Sequence, residues 1–455
     1  MSERLDRNNR LLARKLVHVA LPIALQGLIG SSLNFVDNLM VGSLGESPLA
    51  ATGVGLQLYF IYWMILFGFS SGCSTYMAQL YGAGDIVRIK KTTGFAIGVG
   101  FLTGVLFFFV TILKPHFVLS LFTDIEEIKT LGSQYIVVGA PVFLLLGITV
   151  PLSTALRATQ QSKIPMLISI GGFGANTFLN YCLIFGNLSF PAMGVKGAAL
   201  ATVISRTIEV SLMIGMTLVR KNCLQGKLRD YFKWESLLAL KVTKNSIPTT
   251  VNETMWALGT AAYAAIYARM GVTEYAAFQA GSAINSMFTL AAFSVGDAIL
   301  ILVGQKLGEG RLEEGYMLAK KLLRFSIVIG IIGGLGLFVT SPILVEFFNF
   351  TAAGNETAIA IMRIFAATMA PVVYNACIIT GVLRCGGDTN FAMISETLTV
   401  WLIGVPLATA GSMLWGLEIY WVVLFSKVEE VIKCIILTCR TDSKKWVKNV
   451  VKDFS

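Results

Sequence analysis

Charge is scarce in this chain. Only 14 % of its 455 residues are Asp, Glu, Lys or Arg, against about 25 % in an ordinary soluble domain. That shortage excludes a soluble enzyme and a disordered chain. The formal charge of +10 does not restore a nucleic-acid-binding reading, because the basic residues are dispersed among short loops. Histidine is rarer still, with two residues. With no HExxH and no CxxC, no catalytic metal site is expected, and no cofactor. No GxxxxGKS/T occurs, so the chain carries no ATP motor of its own. Nothing resembles a nucleophile elbow. Energy for any work must then come from an ion gradient or a separate subunit. The seven cysteines are odd in number and lie in apolar stretches or in segments assigned to the cytoplasm, so no disulfide framework is expected. The first apolar run follows a basic start and outlasts any signal core, so no cleavable signal is expected.

What is abundant is apolar side chain, 55 % of the residues, with a mean hydropathy of +0.72. One membrane crossing takes roughly 20 apolar residues, and the composition suits twelve. Apolar stretches bounded by Gly, Pro or charge fall at about 13–42, 49–78, 89–113, 130–156, 164–187, 195–219, 239–269, 274–305, 318–346, 356–383, 391–411 and 416–438. They must be helices, because strands would leave backbone groups unpaired in lipid. The fold class is therefore an all-α polytopic membrane protein.

Basic residues set the orientation. Arg4, Arg7, Arg10, Arg14 and Lys15 precede span 1, and Arg88, Lys90 and Lys91 follow span 2. Arg220, Lys221, Lys227, Arg229, Lys233, Lys241 and Lys244 fill the connector after span 6. Lys306, Arg311, Lys320, Lys321 and Arg324 follow span 8, and the tail carries Arg440, Lys444, Lys445, Lys448 and Lys452. The opposite loops hold Lys114, Lys129, Lys196, Arg269 and Arg363. The positive-inside rule puts both termini in the cytoplasm.

The halves repeat. Leu21-Pro22 matches Ile247-Pro248, Ala50-Ala51 matches Ala276-Ala277, and Gln79-x-x-Gly82-x-Gly84 matches Gln305-x-x-Gly308-x-Gly310. Further on, Leu156-Arg157 matches Leu383-Arg384. Six spans in each half mean that both halves start and finish inside. The repeat is therefore parallel, with a pseudo-two-fold axis along the membrane normal. Two six-helix lobes follow, residues 1–225 with spans 1–6 and 226–455 with spans 7–12. This is a transporter plan.

An ionisable group inside a span costs at least ~2.5–3.5 kcal/mol and needs a reason. Asp37, in Asn34-Phe-Val-Asp37, lies near the outer end of span 1. Asn176 and Asn180 share a face of span 5, and Thr202 lies in span 6. At ~1.5 Å per residue, Asp37, Asn180 and Thr202 reach similar depth. A carboxylate among amides and a hydroxyl makes a cation or proton site; otherwise Asp37 braces the end of span 1. Glu253 in span 7 and Asp297 in span 8 sit at similar depth and could form a second acidic site. Arg206 with Glu209, and Lys427 with Glu430, read as structural pairs. Pro22, Pro141, Pro151, Pro248, Pro371 and Pro406 are expected to bend spans. Tyr59, Trp63 and Phe67, and again Tyr263 and Tyr267, form aromatic stripes that could line a cavity for flat cations or face lipid and neighbouring helices. Trp256 and Met287 are assigned to the same cavity. Gly330-x-x-Gly333-Gly334-x-Gly336 reads as close helix packing.

The sequence resembles the multidrug and toxic compound extrusion (MATE) family over about residues 12–450. The likeness rests on Leu21-Pro22, Asp37-Asn-Leu-Met40-Val-Gly42, Gln79-Leu-Tyr-Gly82 and Asn176-Thr-Phe-Leu-Asn180. Gly194-Val-Lys-Gly197, Asn252-Glu253-Thr-Met-Trp256, Val303-Gly304-Gln305 and Leu383-Arg384-Cys-Gly386-Gly387-Asp388 add to it. The resemblance implies a twelve-helix, two-lobe antiporter of the cytoplasmic membrane, working as a monomer and exporting organic cations or amphipathic drugs against protons or sodium. It implies that Asp37 is the coupling carboxylate, with Asn176 and Thr202 beside it, and that Asn180 stands where some members carry a second acid. Glu253 matches the span-7 acid of sodium-type members, whose span-10 acid has no counterpart near Tyr374 and Asn375. Protons are therefore the favoured ion. The alternative is a lipid-linked-oligosaccharide flippase, which would want a strongly basic cavity. A membrane-embedded enzyme would need a clustered His, Asp or Cys constellation, and none is visible.

Overall fold

The computed structural model describes residues 2–219, 222–348 and 350–454. Arg220 and Lys221 lie outside them, as do the side chains of Arg4, Arg7 and Arg10. Helices occur at all twelve expected positions. In the first half they run Ser2–Gly42, Glu46–Gly82, Ile86–Leu113, Glu126–Gly139 with Pro141–Ala158, Lys163–Phe185 and Val195–Val219. In the second half, spans 7 to 9 are Ser236–Ala268, Val272–Gly308 and Leu312–Val345. Span 10 is Ala352–Ala376 and continues in a wider π register through Cys377–Leu383. Span 11 starts at Thr389–Thr399 and reaches Leu414, and span 12 is Ile419–Ser426 with Val428–Asp442.

Ten of these helices are long and apolar enough to cross a membrane by length and composition. Spans 7 and 12 are the other two. The first half of span 7 carries Lys241, Lys244, Asn245, Asn252 and Glu253, and span 12 is interrupted at Lys427 and then carries Glu429, Glu430 and Lys433. Both departures come from polar residues, of which Asn252, Glu253, Glu429, Glu430 and Lys433 find partners inside the protein.

Pro22, Pro151, Pro248 and Pro371 lie inside helices, as does Pro342 in span 9, and Pro141 opens the second helix of span 4. Pro406 is flanked by two π-register turns, Val400–Gly404 and Ala410–Leu414. A proline lacks the N–H of the ordinary ladder and crowds the preceding turn, and a locally widened register relieves such a conflict.

The chain forms two compact units of contacts. One comprises residues 25–73 and 85–243; the other comprises 1–24, 74–84 and 244–455. These are sets of contacts, whereas the lobes 1–225 and 226–455 come from the repeat. In the first unit, spans 3 and 4 approach closely because glycine faces glycine. A Cβ on Gly100 would stand 2.7 Å from the Gly147 carbonyl, and one on Gly147 would stand 2.6 Å from that of Gly100. Beside them the Tyr62 hydroxyl reaches the carbonyls of Gly100 (2.9 Å) and Phe143 (2.8 Å). The connector before span 7 is tied down by Glu235, which accepts from Lys91 Nζ at 2.5 Å and Arg88 Nε at 3.1 Å. The hydrogen bond from Lys91 is the largest of the effects that hold the Glu235 carboxyl below the usual carboxylate range.

In the second unit Leu16, Val19, Ala20 and Ile23 of span 1 join the core built by spans 7 to 12. The glycine run of span 9 makes the expected close packing: Gly330 lies against Ala370 and Gly334 against the Ala366 carbonyl of span 10. The repeated Gln-x-x-Gly ends of spans 2 and 8 cross each other. A side chain on Gly82 would strike the Gln305 carbonyl, and one on Gly308 would strike that of Gln79. The Gln79 side chain donates to the carbonyls of Cys385 (2.7 Å) and Lys448 (3.0 Å) and accepts from Val450 N–H (2.8 Å). The C-terminal tail is thereby bound to the same helix ends, with Trp446 fully buried.

Candidate functional site

Asp37 sits five residues before the end of the helix Ser2–Gly42. Its carboxylate Oδ1 accepts a hydrogen bond from Asn180 Nδ2 at 2.5 Å. The same amide donates to Asn176 Oδ1 at 3.0 Å, as the four-residue spacing on one helix face allows. Asn176 Nδ2 in turn lies 3.4 Å from both Thr202 Oγ1 and Ser205 Oγ. Both asparagines are buried, at 1 % and 0 % exposure. Counting depth along three helices thus brings together four residues named in advance, and Ser205 joins them. A small pocket opens beside Asp37, lined also by Asn38, Thr52, Tyr135 and Ala198.

The chemistry of this chain is directional. Asn180 has two N–H bonds and uses both, yet its carbonyl Oδ1 is buried without a hydrogen-bond partner. Burying a polar atom without a partner costs about 1–3 kcal/mol. The site therefore presents one neutral donor to the Asp37 carboxyl and leaves one buried acceptor beside it without a donor. Asn34 is exposed and stands outside this network.

The other acids fall in the second unit. Glu253 does not face Asp37-like surroundings: its Oε1 lies 2.5 Å from Arg384 Nη2, and Arg384 is 1 % exposed. Asp297 is half-buried on span 8, in the electrostatic neighbourhood of the Cys377 thiol on span 10. Glu430 pairs with Lys433 at 3.3 Å and not with Lys427, the partner expected from spacing. Lys427 instead places its Nζ 5.6 Å from the Phe365 ring centroid. Glu430 also accepts from Asn375 Nδ2 at 2.8 Å, and Lys433 lies 3.5 Å from Glu429. Arg206 meets Glu209 at 2.7 Å, as its spacing suggests.

The aromatic residues divide. Tyr59 is packed inside its unit, stacked on Phe143 at 4.8 Å and edge-on to Tyr135 at 6.2 Å. Trp63 is 40 % exposed and stacks on Phe67 at 5.1 Å. Tyr263 is stacked on Tyr267, and its hydroxyl is buried without a hydrogen-bond partner. Trp256 is half-buried and Met287 is 69 % exposed. Sequence reasoning passed over Glu396, whose Oε2 accepts from Asn252 Nδ2 at 2.6 Å. The signal was there: it is an ionisable residue in an apolar span.

Comparison with known proteins agrees with the repeat. The MatE family model matches twice, at residues 22–182 and 248–409, the same spacing as the internal motifs. A probable multidrug resistance protein NorM from Thermotoga maritima is 24 % identical, with 87 % of this chain and 85 % of that protein covered. A probable multidrug resistance protein YoeA from Bacillus subtilis is 26 % identical, with 88 % and 86 % covered. A Vibrio cholerae MATE transporter, VcmN, superposes with a TM-score of 0.87 at 17 % identity, covering 96 % of this chain and 99 % of that one. An outward-facing multidrug resistance MATE transporter of the MOP superfamily superposes with a TM-score of 0.85 at 16 % identity, covering 95 % and 96 %. A multi-pass all-helical chain whose two halves each match the same family model belongs to the MatE family of membrane transporters, the multidrug and toxic compound extrusion proteins.

Proposed function

We propose that this chain is an efflux antiporter of the cytoplasmic membrane that exports drug-like organic cations and amphipathic compounds in exchange for protons, by alternating access. The names of its relatives supply the substrate class. The positive-inside pattern supports both termini in the cytoplasm, and the repeat supports lobes 1–225 and 226–455. The observation that carries the coupling is Asp37 held by one neutral amide donor, next to the orphaned Asn180 carbonyl. A proton on Asp37 cancels a charge that is costly inside a membrane and supplies the O–H that this carbonyl lacks. Sodium, as a hard cation, would call for converging oxygens, and Asn180 turns an N–H to the carboxylate.

A ligand shifts a conformational equilibrium only by its differential affinity for the two states. Proton and drug must therefore prefer opposite states. The test is efflux of a fluorescent cation from proteoliposomes under proton and sodium gradients imposed separately, for wild type and Asp37→Asn. Proton-driven transport that Asp37→Asn abolishes supports the reading. Sodium-driven transport would move coupling away from Asp37, and no gradient-dependent dye movement would favour a lipid-linked-oligosaccharide flippase.

A further inference from the structure

The second unit holds a buried set of charges that the coupling at Asp37 does not use. Four carboxylates, Glu253, Glu396, Glu429 and Glu430, lie among two ion-pairing cations, Arg384 and Lys433. Arg384 pairs with Glu253, and Lys433 with Glu429 and Glu430. Among the described residues, the hydrogen bond to Glu396 comes from the neutral amide of Asn252. An uncompensated carboxylate inside a span costs at least ~2.5–3.5 kcal/mol, so this one should not stand alone.

The partner repeats a feature already seen. Asn252 is 3 % exposed, its Nδ2 serves Glu396, and its Oδ1 is buried with no hydrogen-bond partner. Asn180 does the same beside Asp37. A carboxylic acid facing a primary amide closes a ring of two hydrogen bonds. The amide N–H donates to one acid oxygen while the acid O–H donates to the amide carbonyl. One half of that ring is present at Glu396, and the missing half is one proton.

We propose that Glu396 is a second proton-binding site of this transporter, taking its proton on Oε1 and donating it to Asn252 Oδ1. The site goes beyond the Asp37 reading and lies in the other contact unit. The charged groups around it are Glu253 on span 7, Arg384 at the end of span 10, and Lys433 with Glu429 and Glu430 on span 12. Arg384 and Lys433 bring positive charge to this cluster, and Glu253, Glu429 and Glu430 bring negative charge.

The experiment is pH-difference infrared spectroscopy of the purified full chain, reading the stretching band of protonated carboxyl groups. It needs no substrate and no gradient, so its outcome is separate from that of the efflux assay. Glu396→Gln should remove a band that Asp37→Asn retains, and Asn252→Ala should shift that band without removing it. Glu396→Asp should restore it at a shifted position, which a merely structural role for Glu396 would not predict. A Glu396→Gln spectrum superimposable on wild type overturns the proposal. If Glu396→Gln does not fold, an unshifted band in Asn252→Ala overturns it instead.

Discussion

Arg157 and Arg384 occupy the same place in the two repeats and meet different partners. Arg157 Nη2 donates to Gln26 Oε1 at 2.7 Å, and Gln26 Nε2 donates to Ser169 Oγ at 3.2 Å. The two family-model matches are offset by 226 residues at their start (22 to 248) and 227 at their end (182 to 409), which carries Gln26 onto Asn252 and Ser169 onto Glu396. There Arg384 reaches Glu253, one residue further on, and Asn252 donates to Glu396. The same relation carries Asp37 onto Tyr263. Equivalent backbone positions thus give the arginine neutral partners in one repeat and a carboxylate in the other. The first repeat has one lightly held acid, Asp37, beside the Arg206–Glu209 pair. The second distributes charge through paired groups, with one acid left over. The lesson is that a repeat preserves helix ends and crossings while the titratable groups migrate between them.

The comparison breaks most visibly at the two arginines. Arg384→Ala leaves Glu253 as a buried charge without its partner, and breaking a buried ion pair costs about 3–5 kcal/mol. Arg157→Ala leaves a neutral amide oxygen short of a donor, which costs about 1–3 kcal/mol. Thermal unfolding of the two purified variants in the same detergent should therefore rank Arg384→Ala well below Arg157→Ala. Equal losses would mean that the two arginines do the same structural job and that the charge on Glu253 is not what Arg384 holds.

How much of this was legible beforehand follows from what counting along a sequence measures. Depth is a matter of rise per residue, so Asp37, Asn176, Asn180 and Thr202 could be placed together, and they meet. The spans, the repeat and the glycine packing of span 9 were legible for the same reason: each is a spacing. Rotation about the helix axis is not. Glu430 lies three residues from both Lys427 and Lys433, and spacing cannot choose between them. The interruption of span 12 at Lys427 decides it, leaving Lys433 on the ion-pairing face. Glu396 escaped because its partner is in a span far away in the chain, and Glu253 looked unpaired because Arg384 served only as a marker of the repeat.

A smaller effect tests what the repeats share. Gly82 and Gly308 cross so closely that any Cβ meets a backbone carbonyl, Gln305 in one case and Gln79 in the other. Neither carbonyl can swing aside as a side chain would. Gly82→Val and Gly308→Val should each destabilise by about 3 kcal/mol, the upper end of the usual cost of overpacking, and by similar amounts. The same thermal comparison checks this. A large effect at one glycine and none at the other would show that the crossing yields on one side only.

Just beyond that crossing, the chain turns through Gly84 and Gly310, each at φ +76° and each with open space where a Cβ would stand. The turns match bond for bond: Ala83 N–H to Gln79 O and Glu309 N–H to Gln305 O are both 2.9 Å, and Gly84 to Tyr81 and Gly310 to Leu307 are both 3.1 Å. With no collision to add, substitution by alanine isolates the backbone term. Gly84→Ala and Gly310→Ala should each cost about 1 kcal/mol, the price of a left-handed residue carrying a Cβ. Because each substitution keeps every titratable side chain, both variants should keep the wild-type protonated-carboxyl bands. If one alanine moved those bands and the other did not, the turn would be coupled to the acids of its own repeat. The charges could then no longer be treated as free to migrate over an inert scaffold.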